Sequence, residues 1–188
     1  MQMRNSYYYL ILFIALFTAC DKGLSPDMAS PKVGFGGTVT FIGNWNSEAK
    51  QTYVVLFKDP LLSITDFNVF NLKYVSDTIP NGTQVYHYST NDVNSLISSI
   101  EPGKYSYLAV AQTKRDTLSL SRIDWFIAGL YYSDNDTTQP GKLIIPEATF
   151  VDSVNFICNF NDPPVQPPGG LEKLLNSILL NNKVPISR

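Results

Sequence analysis

Residues 104–112 read KYSYLAVAQ, and residues 52–58 read TYVVLFK. Aromatic and β-branched residues recur in both stretches, and these residue types suit the pleated, half-buried surface of a β-sheet. The second stretch is apolar at nearly every position, which is typical of a central strand covered on both faces. The two stretches predict that β-sheets form the core of this protein.

Five further strand candidates accompany these two, at residues 37–42, 84–89, 125–132, 141–145 and 151–160. Proline and glycine turns at residues 80–82, 101–103 and 139–141 separate several of them. No segment between the candidates has clear helical periodicity over ten residues, so an alternating β/α fold is disfavoured. Seven short strands separated by turns predict an all-β sandwich.

Two connections between the candidates are longer than a tight turn. The segment 60–75 is long for a loop, which predicts an additional edge strand or a flap. The segment 91–100 reads NDVNSLISSI and is predicted to contain a short helical turn.

The end of the chain differs in composition from the sandwich. Residues 162–170 read DPPVQPPGG, and four prolines in nine residues predict a stiff, extended linker. After it, apolar residues recur at the spacing of an amphipathic helix over residues 171–183, namely Leu171, Leu174, Leu175, Ile178 and Leu179. Such a helix is marginal alone in water, so we expect it to dock on its own domain, a second copy, a partner or a membrane.

Charge limits the classes of partner. Residues 1–19 carry only one charged side chain, Arg4, and the rest of the chain carries 13 basic and 16 acidic residues. The basic residues form no run or patch, so a nucleic-acid partner is disfavoured.

The amino terminus has the layout of a secretory signal. Arg4 precedes an apolar stretch at residues 7–17, which is too short to span a membrane. The segment LFTAC at 16–20, which overlaps the end of this stretch, resembles the lipobox of bacterial lipoproteins, with Phe17 and Thr18 departing from its usual form. The resemblance implies cleavage before Cys20 and attachment of lipid to its thiol, which would anchor the protein without a spanning helix.

The target membrane is less sharply indicated. Asp21 resembles an inner-membrane retention signal in some bacteria and a surface-export signal in others, and the outer membrane is the preferred hypothesis here. The predicted organisation is a signal peptide at 1–19, a tether at 20–33, a sandwich at 34–161, a linker at 162–170, a helix at 171–183 and a tail at 184–188.

Three segments resemble a known class of sandwich. They are GGTVTF at 36–41, PGKYSYLAVA at 102–111 and GLYY at 129–132, which precedes the acidic loop 133–136. Together they are similar to carboxypeptidase regulatory-like, or transthyretin-like, domains over about residues 34–160. The resemblance implies a seven-stranded Greek-key sandwich that serves a structural role, attachment or binding and has no catalytic activity.

One acidic turn is a candidate metal site. Asp134, Asn135 and Asp136 resemble the start of a calcium loop, but Gln139 and Ile145 stand where an EF-hand needs glycine and glutamate. A solvated hairpin turn explains the same residues. No other cofactor is indicated.

Catalysis is not indicated by the residue types present. His87 is the only histidine, and Cys158 is the only cysteine left with a free thiol once Cys20 carries lipid. We expect His87 to face opposite to Tyr86 and Tyr88 on a strand, and Cys158 to be a small core residue. The leading hypothesis is a lipid-anchored, non-catalytic envelope protein that acts as a binding or scaffold module. The alternative is a carbohydrate-binding lipoprotein whose exposed aromatic residues are Trp45, Trp125, Tyr131 and Tyr132.

Overall fold

The computed structural model describes residues 32–133 and 136–169 of the chain. The regular structure in these residues is β-strand, apart from two 3-10 turns at Ile64–Asp66 and Arg122–Asp124. The strands are β1 Gly34–Ile42, β2 Gln51–Phe57, β3 Leu72–Val75, β4 Val85–Ser89, β5 Ile97–Ser98, β6 Gly103–Tyr105, β7 Tyr107–Thr113, β8 Trp125–Leu130, β9 Leu143–Ile145, β10 Phe150–Val151 and β11 Phe156–Asn159. The predicted all-β class is confirmed.

The first sheet is built around β1. On one side β1 pairs antiparallel with β4, in the register that places Thr38 opposite His87. On the other side it pairs in parallel with β10 and then with β11, so the first strand of the domain lies beside the last. Between β10 and β11 the Val154 N–H donates to the Gly36 carbonyl, which continues the contact along this edge.

The second sheet has five strands in the order β5-β3-β2-β7-β8, and all of its neighbours are antiparallel. The apolar stretch at residues 52–58 forms β2 in the middle of this sheet, as its composition predicts. β6 continues almost directly into β7, but it pairs with β9 in a separate two-stranded ribbon.

Alternation along the central strands divides their side chains between two cores. Val54 and Leu56 of β2 face the first sheet, together with Leu108 and Val110 of β7. The intervening residues of both strands face outward into a second core, whose buried members include Tyr53, Val55, Phe57, Tyr107, Ala109 and Ala111. The five-stranded sheet is therefore buried on both faces, and its outer face is covered by loops.

The two long connections differ from their predicted structure in instructive ways. The segment 60–75 does contain a strand, β3, but β3 lies inside the sheet because β5 pairs with its outer side. The helical turn predicted within 91–100 is wrong. Backbone hydrogen bonds from Leu96 to Val75 and from Ser99 to Lys73 hold this segment in extended pairing with β3.

Within residues 32–133 and 136–169, no helix is long and apolar enough to cross a membrane. The predicted signal peptide, Cys20 and the predicted helix at 171–183 lie outside the described residues.

Candidate functional site

The first loop over the outer face, residues 58–71, is held by polar side chains. The Asp66 carboxylate accepts backbone N–H bonds from Leu62 and Ser63, at 2.9 and 2.7 Å. The hydrogen bonds from Ser63 lower the pKa of Asp66. Asn71 joins the ends of the loop, because its amide accepts from Asp59 N–H and donates to the Asp66 carbonyl. These hydrogen bonds give the loop a defined shape. Among its apolar side chains, only Leu61 and Phe67 pack on the second core.

The second loop, residues 114–124, is fixed by Trp125 and Asp124. Trp125 is only 3% exposed, and its indole N–H donates to the Ser119 carbonyl at 2.7 Å. The Asp124 carboxylate accepts from the Ser119 hydroxyl and from Arg115 Nε, and these partners lower the pKa of Asp124.

A third segment, residues 163–169, lies along the free edge of β8. The Gln166 side chain accepts from Ile127 N–H at 2.9 Å and donates to the Ile127 carbonyl at 2.8 Å. One amide side chain thus makes the pair of hydrogen bonds that a neighbouring strand would make. We call residues 163–169 the strap.

Arg122 connects the second loop to the strap. Its guanidinium donates to the Trp125 carbonyl at 2.6 Å and to the Pro167 carbonyl at 3.0 Å, and it lies 5.8 Å from the centre of the Phe67 ring. The residue is 4% exposed, and its Nε has no hydrogen-bond partner in the described chain. Burial lowers the pKa of the guanidinium, and the neighbouring Tyr107 opposes that shift. Among residues 32–133 and 136–169, no carboxylate forms a salt bridge with it.

Large apolar side chains are exposed on the two loops. Phe70 is 85% exposed, and six other apolar side chains of these loops are 41–75% exposed. We call the set the outer apolar surface: Leu62, Ile64, Val69, Phe70, Leu118, Leu120 and Ile123.

Two openings flank this surface. A narrow apolar cleft of about 20 Å³ lies between Phe67, Leu118, Leu120 and the sheet. A wider groove of about 280 Å³ lies between Leu62, Tyr132, the turn at 137–140 and the strap. Both openings are on the outer face of the five-stranded sheet, so this face offers concave and exposed apolar area together.

The four aromatic residues predicted as a binding platform do not form one surface. Trp45 packs between Phe41 and Phe160, with ring centres 4.8 and 4.9 Å away, at the edge of the first core. Tyr131 also packs against the first core, whereas Trp125 and Tyr132 belong to the second. Residues 131 and 132 alternate across the chain, which separates their rings.

Of the predicted calcium ligands, only Asp136 lies in the described part of the chain. Its carboxylate accepts from the N–H and hydroxyl of Thr138 and from the Gln139 amide. These bonds lower the pKa of Asp136, the Thr138 hydroxyl having the largest effect. These hydrogen bonds join Asp136 to residues two and three positions further on, as in a solvated polar turn. Among the described residues, no group of three His, Cys, Asp or Glu side chains could hold a metal ion.

His87 and Cys158 lie on opposite faces of the first sheet. His87 is exposed and opposite in direction to the buried Tyr88, as predicted, and its Nδ1 is 3.0 Å from the Thr38 hydroxyl. Cys158 is fully buried in the first core, also as predicted, and burial raises the pKa of its thiol to about 12. The structure does not bring the two residues together.

No family model, curated protein or solved structure matches this chain.

The most distinctive residues of the outer face, Arg122 and Gln166, are absent from the sequence predictions. Their partners are Pro167 and Ile127, 45 and 39 residues away along the chain. A glutamine among four prolines was the one available signal, since it is the only side chain in residues 163–169 able to replace a strand's hydrogen bonds.

Proposed function

We propose that this chain is a lipid-anchored, non-catalytic protein of a bacterial cell envelope, and that its β domain is a protein-binding or scaffold module. We also infer that the domain is a variant of the transthyretin-like Greek-key sandwich. The seven predicted strand segments and the three family-like segments support this inference.

The anchor rests on the sequence of residues 1–20. A basic residue, a short apolar stretch and the LFTAC segment stand in the order that lipoprotein export requires. Two or three acyl chains give stable membrane attachment, whereas one chain gives only marginal binding.

Metabolic labelling with palmitate tests the anchor. We expect the wild-type protein to incorporate label, and the Cys20→Ser variant to incorporate none because it lacks the acceptor thiol. Cys158→Ala is the matched control, because it removes the other cysteine and should leave labelling unchanged. Label on Cys20→Ser, or an unlabelled wild-type protein, would contradict the anchor.

The observation that carries the binding role is the outer apolar surface. Exposed apolar patches on soluble domains mark sites of interaction. Here the exposed side chains stand on loops that hydrogen bonds hold in shape, through Asp66, Asn71 and Asp124. A preformed surface loses little conformational entropy on binding, which favours recognition of a partner.

Carbohydrate binding has less support from the geometry. The two cores divide the four aromatic residues Trp45, Trp125, Tyr131 and Tyr132 between them. The Trp125 indole N–H already donates a hydrogen bond to the Ser119 carbonyl. A sugar platform needs several aromatic faces on one side of the domain, which these four do not provide.

Site-specific photo-crosslinking in cells tests the binding role. A photoreactive amino acid at Phe70 or Leu120 should give a discrete crosslinked product, because both positions lie on the outer apolar surface. The control position is Val85, which is also exposed and apolar but lies on the first sheet. The same products at Val85, or none at Phe70 and Leu120, would refute binding through this surface.

A further inference from the structure

We propose that residues 171–183 of the same chain bind to the outer apolar surface, with Glu172 paired to Arg122. These residues are thus the resident occupant of the outer apolar surface. A partner that binds this surface would have to displace residues 171–183, and this displacement rests on the proposed function. The docking of residues 171–183 does not rest on it.

The position of the strap delivers the rest of the chain to this surface. Pro167 is buried, and its carbonyl accepts from Arg122. Gly169, the last described residue, lies directly against Ile64: a Cβ atom placed on it would be 2.5 Å from that side chain and 3.5 Å from Arg122. Nineteen residues follow, at 170–188. The described chain therefore ends, at Gly169, beside the outer apolar surface.

The composition of those residues complements the surface. Their apolar stripe has five leucine and isoleucine side chains, from Leu171 to Leu179. A helix over residues 171–183 is about 20 Å long and would be marginal alone in water. Docking would bury this stripe together with side chains such as Ile64 and Leu120, which are exposed on the described domain.

Charge indicates which residue of the segment lies against Arg122. A buried guanidinium is costly without an anionic partner. The nearby acids are engaged elsewhere, because Asp66 binds the backbone of its own loop and Asp124 binds Arg115 and Ser119. Glu172 is the only acidic residue in 170–188, and it follows Gly169 by three residues, a reach of up to about 10 Å. Arg122 is thus within range of it.

Other occupants are less well matched. The loops 58–71 and 114–124 carry four basic and four acidic residues, so they have no net positive charge to attract an anionic lipid surface. A second copy could offer the same segment, but the tethered segment has the far higher effective concentration.

Paired cysteines in the full-length lipidated protein, in detergent, test the docking. Leu175→Cys is combined in turn with Ile64→Cys, Phe70→Cys and Leu120→Cys, so that the result does not depend on one register. The control pairs Leu175→Cys with Thr40→Cys, an exposed position on the first sheet. Cys20 is acylated in this protein and Cys158 is buried, so neither should compete.

We expect oxidation to close a disulfide within one chain for at least one of the three pairs and not for the control. Disulfides only between two chains would assign the surface to a second copy and overturn docking in cis. No disulfide in any pair, or equal formation in the control, would also overturn it. Photo-crosslinking to a partner is a separate readout, so the proposed function can fail while docking stands.

The charge pairing has its own test. Glu172→Gln should lower the Tm of the full-length protein, because it leaves Arg122 without its anion, while Glu147→Gln on an exposed turn should not. Glu172→Asp should restore part of the loss. An unchanged Tm for Glu172→Gln would overturn the pairing.

Discussion

Gln166 occupies the place where β8 would otherwise present unpaired backbone groups. Its amide both accepts from and donates to Ile127, and it also donates to the Pro164 carbonyl within the strap. An open strand edge is a template for pairing with other chains. A single side chain therefore completes the hydrogen bonding at this point of the edge and prevents such pairing there.

Replacing this residue should weaken the domain. Gln166→Ala removes both hydrogen bonds to Ile127, as well as the one to Pro164, and leaves the Ile127 groups without partners, so we expect the free energy of unfolding to fall by about 1–3 kcal/mol. Urea denaturation measures this change. Gln84→Ala is the control, because Gln84 is exposed, and it should shift the free energy by less than about 0.5 kcal/mol. Equal effects of the two variants would show that the amide of Gln166 is not specifically stabilising.

At the scale of elements, alternation and turn chemistry predict most of the strands. Each of the seven candidate segments contains a strand of the structure, because residue types that suit a sheet recur in them between proline and glycine turns. Two candidates are divided. Residues 104–112 break at Ser106, whose N–H turns to the carbonyls of Phe57 and Lys58, and residues 151–160 are interrupted before β11.

Other elements were beyond the reach of local pattern. β5 has two residues, and it is extended because it pairs with β3, which no local preference of 91–100 reveals. The strap has the composition of a linker, yet its place on the domain depends on Ile127 and Arg122. Contacts between residues far apart in the sequence determine the structure of such segments, whereas local composition reflects only the preferences of neighbouring residues.

The contribution of the strap can be measured by two truncations. A chain that ends after Asp162 lacks the strap, and a chain that ends after Gly169 keeps it. We expect the shorter chain to have a free energy of unfolding lower by roughly 2–4 kcal/mol, because it loses the Gln166 bonds and the Pro167 acceptor of buried Arg122. Urea denaturation of both chains gives the difference. Equal free energies of unfolding would mean that residues 163–169 do not stabilise the domain.

At the scale of the whole molecule, both cores bury ionisable side chains in neutral form. Burial raises the pKa of Tyr74 and Tyr88 in the first core, of Tyr107 in the second, and that of Cys158 to about 12. In the unfolded chain these groups ionise from about pH 9 for cysteine and pH 10 for tyrosine. The unfolded state therefore loses protons first as the pH rises, so the contribution of these four groups to stability is constant below this range and falls above it.

Alkaline conditions should accordingly destabilise the domain. We expect the free energy of unfolding to be lower at about pH 10.5 than at about pH 8, by about 1 kcal/mol or more, because of these raised pKa values. Urea denaturation at the two pH values measures it, and Cys158→Ala should reduce the part of the fall that begins near pH 9. A free energy that stays level across this range would mean that these groups are not buried in neutral form.

The position of β1 between β4 and the last two strands bears on when folding can finish. The Thr38 N–H binds the Asn155 side chain, 117 residues further along the chain. Contacts of such long sequence separation form late and slow the folding rate. A chain threaded through a membrane channel from its amino terminus cannot close the first sheet until residues 150–159 emerge. On the proposed export route, this topology therefore delays completion of the first sheet until residues 150–159 have passed the channel.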